Sequence, residues 1–175
     1  MRRAILPASL ILLVALIVCA CAGGNSGTPG SSPDGQASTS TFYKAQMQKW
    51  ISADLNSLDT SALADLQDPL KASVAELAEL QDFSAKTHKA LDDLRLIKPS
   101  EDLVMDHVAF VAAFEALVKA TDHLVAATTA KSASGVASTE IELSAAYAQI
   151  VAAQTHLATD LGLPVPSTDT TSQSG

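Results

Sequence analysis

The chain has 175 residues, of which 47% are hydrophobic, 17% charged and 4% aromatic, and its formal net charge is −8. This acidic balance argues against nucleic-acid binding and against charge-driven binding of anionic lipid, because both require a basic surface. The low aromatic content also disfavours a stacking surface for bases or sugars.

The first predicted element is an N-terminal apolar segment. Arg2 and Arg3 precede a largely apolar run over residues 4–22, which ends with both cysteines of the chain, Cys19 and Cys21. A Cys19–Cys21 disulfide would close too short a loop, and a metal site would need more ligands nearby. The segment is therefore either a cleaved secretory signal or an uncleaved transmembrane anchor.

The residues Val18-Cys19-Ala20-Cys21 resemble the bacterial lipobox, in which an aliphatic residue, a tolerant position and a small residue precede a lipidated cysteine. The resemblance implies that residues 1–20 are a lipoprotein signal peptide and that Cys21 carries the lipid. It also implies a palmitate-type diacyl anchor on the extracytoplasmic side of a bacterial membrane, where two acyl chains give stable attachment. In a two-membrane cell, Ala22 would give no inner-membrane retention cue.

The mature chain then begins with a polar segment. Loss of Arg2 and Arg3 leaves nine basic residues against 19 acidic ones, a net charge of −10. Residues 21–40 comprise the lipidated cysteine and a stretch rich in Gly, Ser, Pro and Thr, which predicts a disordered tether. Residues 164–175 have a similar composition and predict a disordered tail. Residues 41–163 have the length of one domain.

Two helices are expected in the first half of this domain. The first begins near Thr41 and either continues to about Leu66 or breaks at residues 59–61. The second runs from about Pro69 to Leu96, since proline suits a first helical turn and Asp68 can cap it. Its expected inward residues are Leu70, Val74, Leu77, Leu80, Leu91 and Leu94.

The third predicted helix has the clearest pattern. Ser100 can cap it, and the helix is expected to stop before Gly135. One apolar stripe follows spacings of four and three, which is typical of a helix packed in a bundle. The stripe comprises Leu103, His107, Phe110, Phe114, Leu117, Thr121 and Leu124, and the valines expected to widen it are Val104, Val108, Val111, Val118 and Val125.

The fourth predicted helix carries a similar stripe, and Gly162 and Pro164 form its stop signal. The stripe comprises Leu143, Tyr147, Ile150, Leu157 and Leu161. Short connections make neighbouring helices antiparallel. The sequence therefore predicts an all-α fold, an up-down-up-down four-helix bundle on a disordered N-terminal tether.

No enzyme motif is found, so we expect a protein that is not an enzyme. The chain has no Ser-x-x-Lys, GxSxG, HExxH or phosphate-loop sequence. No Glu stands three residues before any histidine, so di-iron binding has no support. CxxCH, which covalent haem attachment requires, is also absent.

Two histidines are candidate ligand-binding residues. His107 lies on the third stripe and His88 near the inward face of the second helix, and folding at the intervening turn predicts similar heights for both. Met47 and Asp160 are expected near that level, so the layer could bind a transition metal or a non-covalent haem. The two histidines could instead pair with each other or with an acid. His123 and His156 fall off the stripes and are expected at the surface.

We therefore expect a lipid-anchored protein of the cell envelope that acts as an interaction or envelope-associated module. Its expected partners are the membrane, through the anchor, and an unknown protein. The alternative is a small bundle that binds a metal, haem or an apolar ligand.

Overall fold

The computed structural model describes residues 37–161, apart from residues 59, 60, 65 and 67. The predicted signal peptide, lipid attachment at Cys21 and C-terminal tail lie outside these residues. The described part consists mainly of four long helices packed against one another, which confirms the predicted all-α bundle. The helices are α1 (Ala37–Ala53), α2 (Val74–Arg95), α3 (Val104–Thr129) and α4 (Ala133–Asp160).

Side-chain pairs define the directions of the helices. Tyr43 and Trp50 of α1 contact His107 and Phe114 of α3, so both numbers rise by seven and the helices run parallel. His88 and Arg95 of α2 instead contact Asp122 and Glu115, so α2 and α3 are antiparallel. His123 contacts Glu142 and Asp106 contacts Asp160, which makes α3 and α4 antiparallel as well. The bundle is therefore up-down-up-down, with α3 in contact with each of the other three helices.

The boundaries of α1 differ from the prediction. The helix begins at Ala37, so the last four residues of the predicted tether are helical. It ends at Ala53, and a 3-10 turn (Leu55–Ser57) and a single helical turn (Ser61–Ala64) follow, so the continuous helix to Leu66 is wrong. This connection still packs on the core through four buried leucines, Leu55, Leu58, Leu63 and Leu66.

The start of α2 lies later than predicted. Asp68 does accept a hydrogen bond from the Leu70 amide, but Pro69 belongs to a separate 3-10 turn. The helix itself begins after a capping box, in which the Ser73 and Glu76 side chains each accept the other residue's backbone N–H. Val74 consequently stands in a solvated first turn and is 88% exposed, so its inward placement was wrong. The inward placement of Leu80, Leu91 and Leu94 is confirmed.

The stripe on α3 is confirmed, because all seven of its residues are buried. Val104 and Val108 were expected to widen it, but both are exposed. At 100° per residue, Val104 lies at the edge of the stripe and Val108 lies on the side of α3 that faces away from the core.

α3 ends at Thr129, before Gly135, as the sequence predicted. The break occupies Ala130–Ser132, with Lys131 in the left-handed region at a φ of 51°. Gly135 lies in the first turn of α4, where an added Cβ would be only 3.0 Å from the Ala127 Cβ. This glycine therefore permits a close approach of the two helices and does not end either of them.

Candidate functional site

His107 is buried, as the stripe predicted, and its partner is a tyrosine. The Tyr43 hydroxyl lies 3.1 Å from His107 Nδ1, and the two rings meet edge to face with centroids 5.7 Å apart. A neutral imidazole can accept the hydroxyl proton at this nitrogen. Burial lowers the pKa of His107. Burial, and secondarily the charge of Asp106, raises the pKa of Tyr43. Both side chains are therefore held in their neutral forms.

A pair of carboxyl groups lies beside this contact. Asp106 on α3 shares a hydrogen bond with Asp160 at the end of α4. That bond, then burial and the charge of Asp160, raises the pKa of Asp106, while nearby His156 lowers it. The pair joins the start of α3 to the end of α4, near the start of α1.

His88 lies in a different environment, and its expected inward position was wrong. Its Nε2 lies 2.9 Å from Oδ2 of Asp122 on α3, and the His88 side chain is 52% exposed. The Ser84 hydroxyl donates to Oδ1 of the same carboxylate at 2.6 Å. In a nucleophile–base pair, the serine would bond to the imidazole. Here Asp122 holds both side chains, so the cluster has the geometry of a surface polar contact.

The structure does not bring His88 and His107 to one level. Because His88 contacts Asp122, fifteen residues along α3 from His107, the two imidazoles are separated by roughly 22 Å along the helix axis. The prediction placed the turn midway in sequence between the two histidines. In the structure, Arg95 at the end of α2 contacts Glu115 of α3, and residues 96–103 lead back from that height to the start of α3. The shared histidine layer was therefore wrong.

The remaining members of the expected layer are also separated by environment, since Met47 is buried and Asp160 is exposed. Among the residues that the structure describes, no three His, Cys, Asp or Glu side chains are grouped to hold a metal ion. Binding of a transition metal or haem by either histidine stays a prediction. The surface positions of His123 and His156 are confirmed.

The sequence reasoning missed an apolar surface at one end of the bundle. We call it the apolar end surface and define it by Val104, Met105 and Val108, all of which are exposed. All three residues lie within the first five positions of α3. Phe42 lies at the same height, because its neighbour Tyr43 contacts His107. The available signal was the sequence Val104-Met105, in which apolar residues continue around the helix beyond the width of one stripe.

Within residues 37–161, with the four gaps already named, no helix has both the length and the hydrophobicity to cross a bilayer. Comparison with protein-family models, curated protein sequences and solved structures gives no match to this chain.

Proposed function

We propose that this protein is a lipid-anchored module on the extracytoplasmic side of a bacterial membrane, and that it acts by binding rather than by catalysis. The resemblance of Val18–Cys21 to a lipobox supports the anchor. The observation that supports a binding role is the apolar end surface, because three large apolar side chains at the start of α3 are exposed. Apolar groups clustered on a surface typically mark a contact site.

The polar clusters give catalysis no comparable support. Ser84 donates to Asp122 and not to His88, and the neutral Tyr43–His107 pair is buried against the core. The visible roles of these groups are to join helices. We therefore propose that the outer surface of the domain carries its binding function.

Cysteine substitutions test the anchor. The wild-type chain would be expressed in a bacterial host with radiolabelled palmitate, beside Cys21→Ala and Cys19→Ala. Cys19 is the matched control, since it lies two residues away and leaves with the signal peptide in the proposed processing. We expect the wild type and Cys19→Ala to be labelled and recovered with membranes. Cys21→Ala should lose the label and either accumulate as precursor or leave the membrane.

Two outcomes would contradict this assignment. One is a labelled, membrane-bound Cys21→Ala product. The other is loss of label in Cys19→Ala with normal labelling of Cys21→Ala, which would move the modified residue. Mass determination of the mature N-terminus separates cleavage before Cys21 from retention of an intact transmembrane anchor.

A further inference from the structure

We infer that the apolar end surface docks onto the lipid surface of the membrane that carries the anchor. This inference rests on the proposed function, and it adds the identity of the contact partner. Val104, Met105 and Val108 would enter the boundary between headgroups and acyl chains, with α1, α3 and α4 extending away from it.

The first observation is where the exposed apolar residues lie. Of the seven large apolar side chains described as exposed, three form this surface, and Phe42 of α1 lies within about one helical turn of the same height. Val74 and Ile141 lie toward the other end, since Val74 begins α2 and Glu142 contacts His123. The apolar exposure is thus concentrated at the end where α1 and α3 begin.

The second observation is the position of that end relative to the proposed anchor. Residues 22–36 are the only residues between Cys21 and the start of α1 at Ala37. α1 begins six residues before Tyr43, which lies level with His107, so the segment that follows Cys21 joins the bundle at the apolar end. The chain also leaves the described part at this end, as the contact between Asp160 and Asp106 shows.

The anchor removes the need for strong intrinsic affinity. A second contact made by an already tethered domain occurs at an effective concentration in the millimolar range for a short linker. The three side chains expose on the order of a few hundred Å², below the roughly 800 Å² per partner that a stable protein–protein interface buries. A surface of this size suits an assisted lipid contact better than an independent protein interface.

Charge selects the type of lipid. Glu101 and Asp102 are exposed beside Val104, and Asp106 and Asp160 lie one turn further along. These acids would be repelled by an anionic surface, and the proposed mature charge of −10 adds to that repulsion. We therefore expect docking on zwitterionic lipid and its weakening as anionic lipid is added.

The test uses the mature lipoprotein in phosphatidylcholine vesicles that contain a headgroup-bound spin quencher. The proposed mature chain has no thiol, so a single introduced cysteine can carry a fluorophore. Ala109→Cys labels the apolar end and Ala137→Cys labels the far end; both alanines are exposed. Their heights differ by roughly 30 Å, because Ala137 precedes Asp160 by 23 residues along α4. We expect at least twofold stronger quenching at position 109.

The specificity of docking is tested in the labelled background. Met105→Ser with Val108→Ser should remove the difference between the two labels. Ile141→Ser is the matched control, since Ile141 is 72% exposed and Met105 is 79% exposed, but Ile141 lies away from this end. It should leave the difference intact. Circular dichroism of each variant checks that the bundle is folded.

The outcomes separate this inference from the proposed function. Failure of the wild type to float with vesicles overturns both. Flotation with equal quenching at positions 109 and 137 overturns docking and leaves the anchor standing. Quenching at position 109 that persists in the double variant, or that requires a high protein density on the vesicle, also overturns it. The latter result would assign the surface to a second copy of the chain.

Discussion

Burial of His107 beside Tyr43 makes the stability of this domain sensitive to acid. Burial holds the imidazole neutral, while an ordinary unfolded histidine has a pKa of about 6.5. As the pH falls below this value, the unfolded chain takes up a proton that folded His107 resists. The free energy of unfolding must therefore decrease below about pH 6.5 until the lower folded pKa is reached. Neighbouring Asp106 acts in the opposite sense because its folded pKa is raised, and does so nearer pH 4.

We predict that the loss of stability between pH 7.5 and pH 5.5 becomes smaller in His107→Gln. Glutamine can still contact the Tyr43 hydroxyl but does not titrate. One proton limits the effect to about 1.4 kcal/mol per pH unit. Urea unfolding at both pH values measures it. Lys119→Gln, at an exposed position of the same helix, is the control and should retain the wild-type difference. An unchanged difference in His107→Gln would show that His107 does not carry the response.

Single residues were only partly predictable from the pattern. His107 was placed correctly because it occupies a stripe position between large apolar neighbours. Its partner Tyr43 could not be found, since the pairing joins helices 64 residues apart in sequence. The prediction for His88 was wrong because the burial of its side chain depends on how α2 is positioned along α3. The periodicity of apolar residues within one helix carries no information about that position.

At the scale of elements, the end of α3 illustrates a stop without glycine. The Ser132 amide donates to the Ala127 carbonyl and the Lys131 amide to that of Thr128, which is the Schellman arrangement. This arrangement places Lys131 where glycine is usual, at a φ of 51°. The strain at Lys131 is offset because the turn packs α4 against α3. The Ser132 side chain also caps α4 by accepting a hydrogen bond from the Gly135 amide.

Lys131→Gly is therefore predicted to stabilise the domain by about 1 kcal/mol, since glycine removes the left-handed backbone penalty. Thermal and urea unfolding would measure the gain. Lys119→Gly, at an exposed position within α3, should instead cost about 1 kcal/mol. If both substitutions destabilise to the same extent, the strain at Lys131 is not relieved by glycine.

The elements that the sequence predicted best are those with long, regular stripes. α3 was recognised by its seven buried stripe positions, and its end before Gly135 was also predicted, although Gly135 itself lies inside α4. The end of the first helix was uncertain because leucines continue beyond Ala53 with no interruption of the apolar pattern. These leucines are buried because the connection after α1 folds back onto the core. The spacing of apolar residues does not distinguish such a connection from a continuous helix.

At the scale of the whole molecule, this connection completes the core beside four helices of unequal length. Leu66 is 1% exposed although it lies outside every long helix. Asp54 at the start of the connection also pairs with Lys89 of α2, with a 2.7 Å Oδ1–Nζ distance. The connection should therefore unfold together with the bundle.

Leu66→Ala should reduce the free energy of unfolding by about 2–5 kcal/mol, the range for a buried leucine that leaves a cavity. Leu96→Ala is the matched control, because Leu96 lies in the next connection but is 75% exposed. Its effect should stay within about 0.5 kcal/mol. Urea denaturation followed by circular dichroism gives both values, and similar small effects would mean that the first connection is not part of the cooperative core.

The position of Trp50 gives this bundle a built-in optical reporter. The chain has one tryptophan, and its indole N–H donates to the Ala90 carbonyl of α2 at 2.7 Å. Its ring also meets Phe110 and Phe114 of α3 edge-on, with centroids 5.9 and 5.5 Å away. Indole emission therefore follows one event, the seating of α1 against α2 and α3, while far-ultraviolet dichroism follows every helix. Comparing the two signals in time would show whether α1 joins a preformed α3–α4 hairpin or assembles with it.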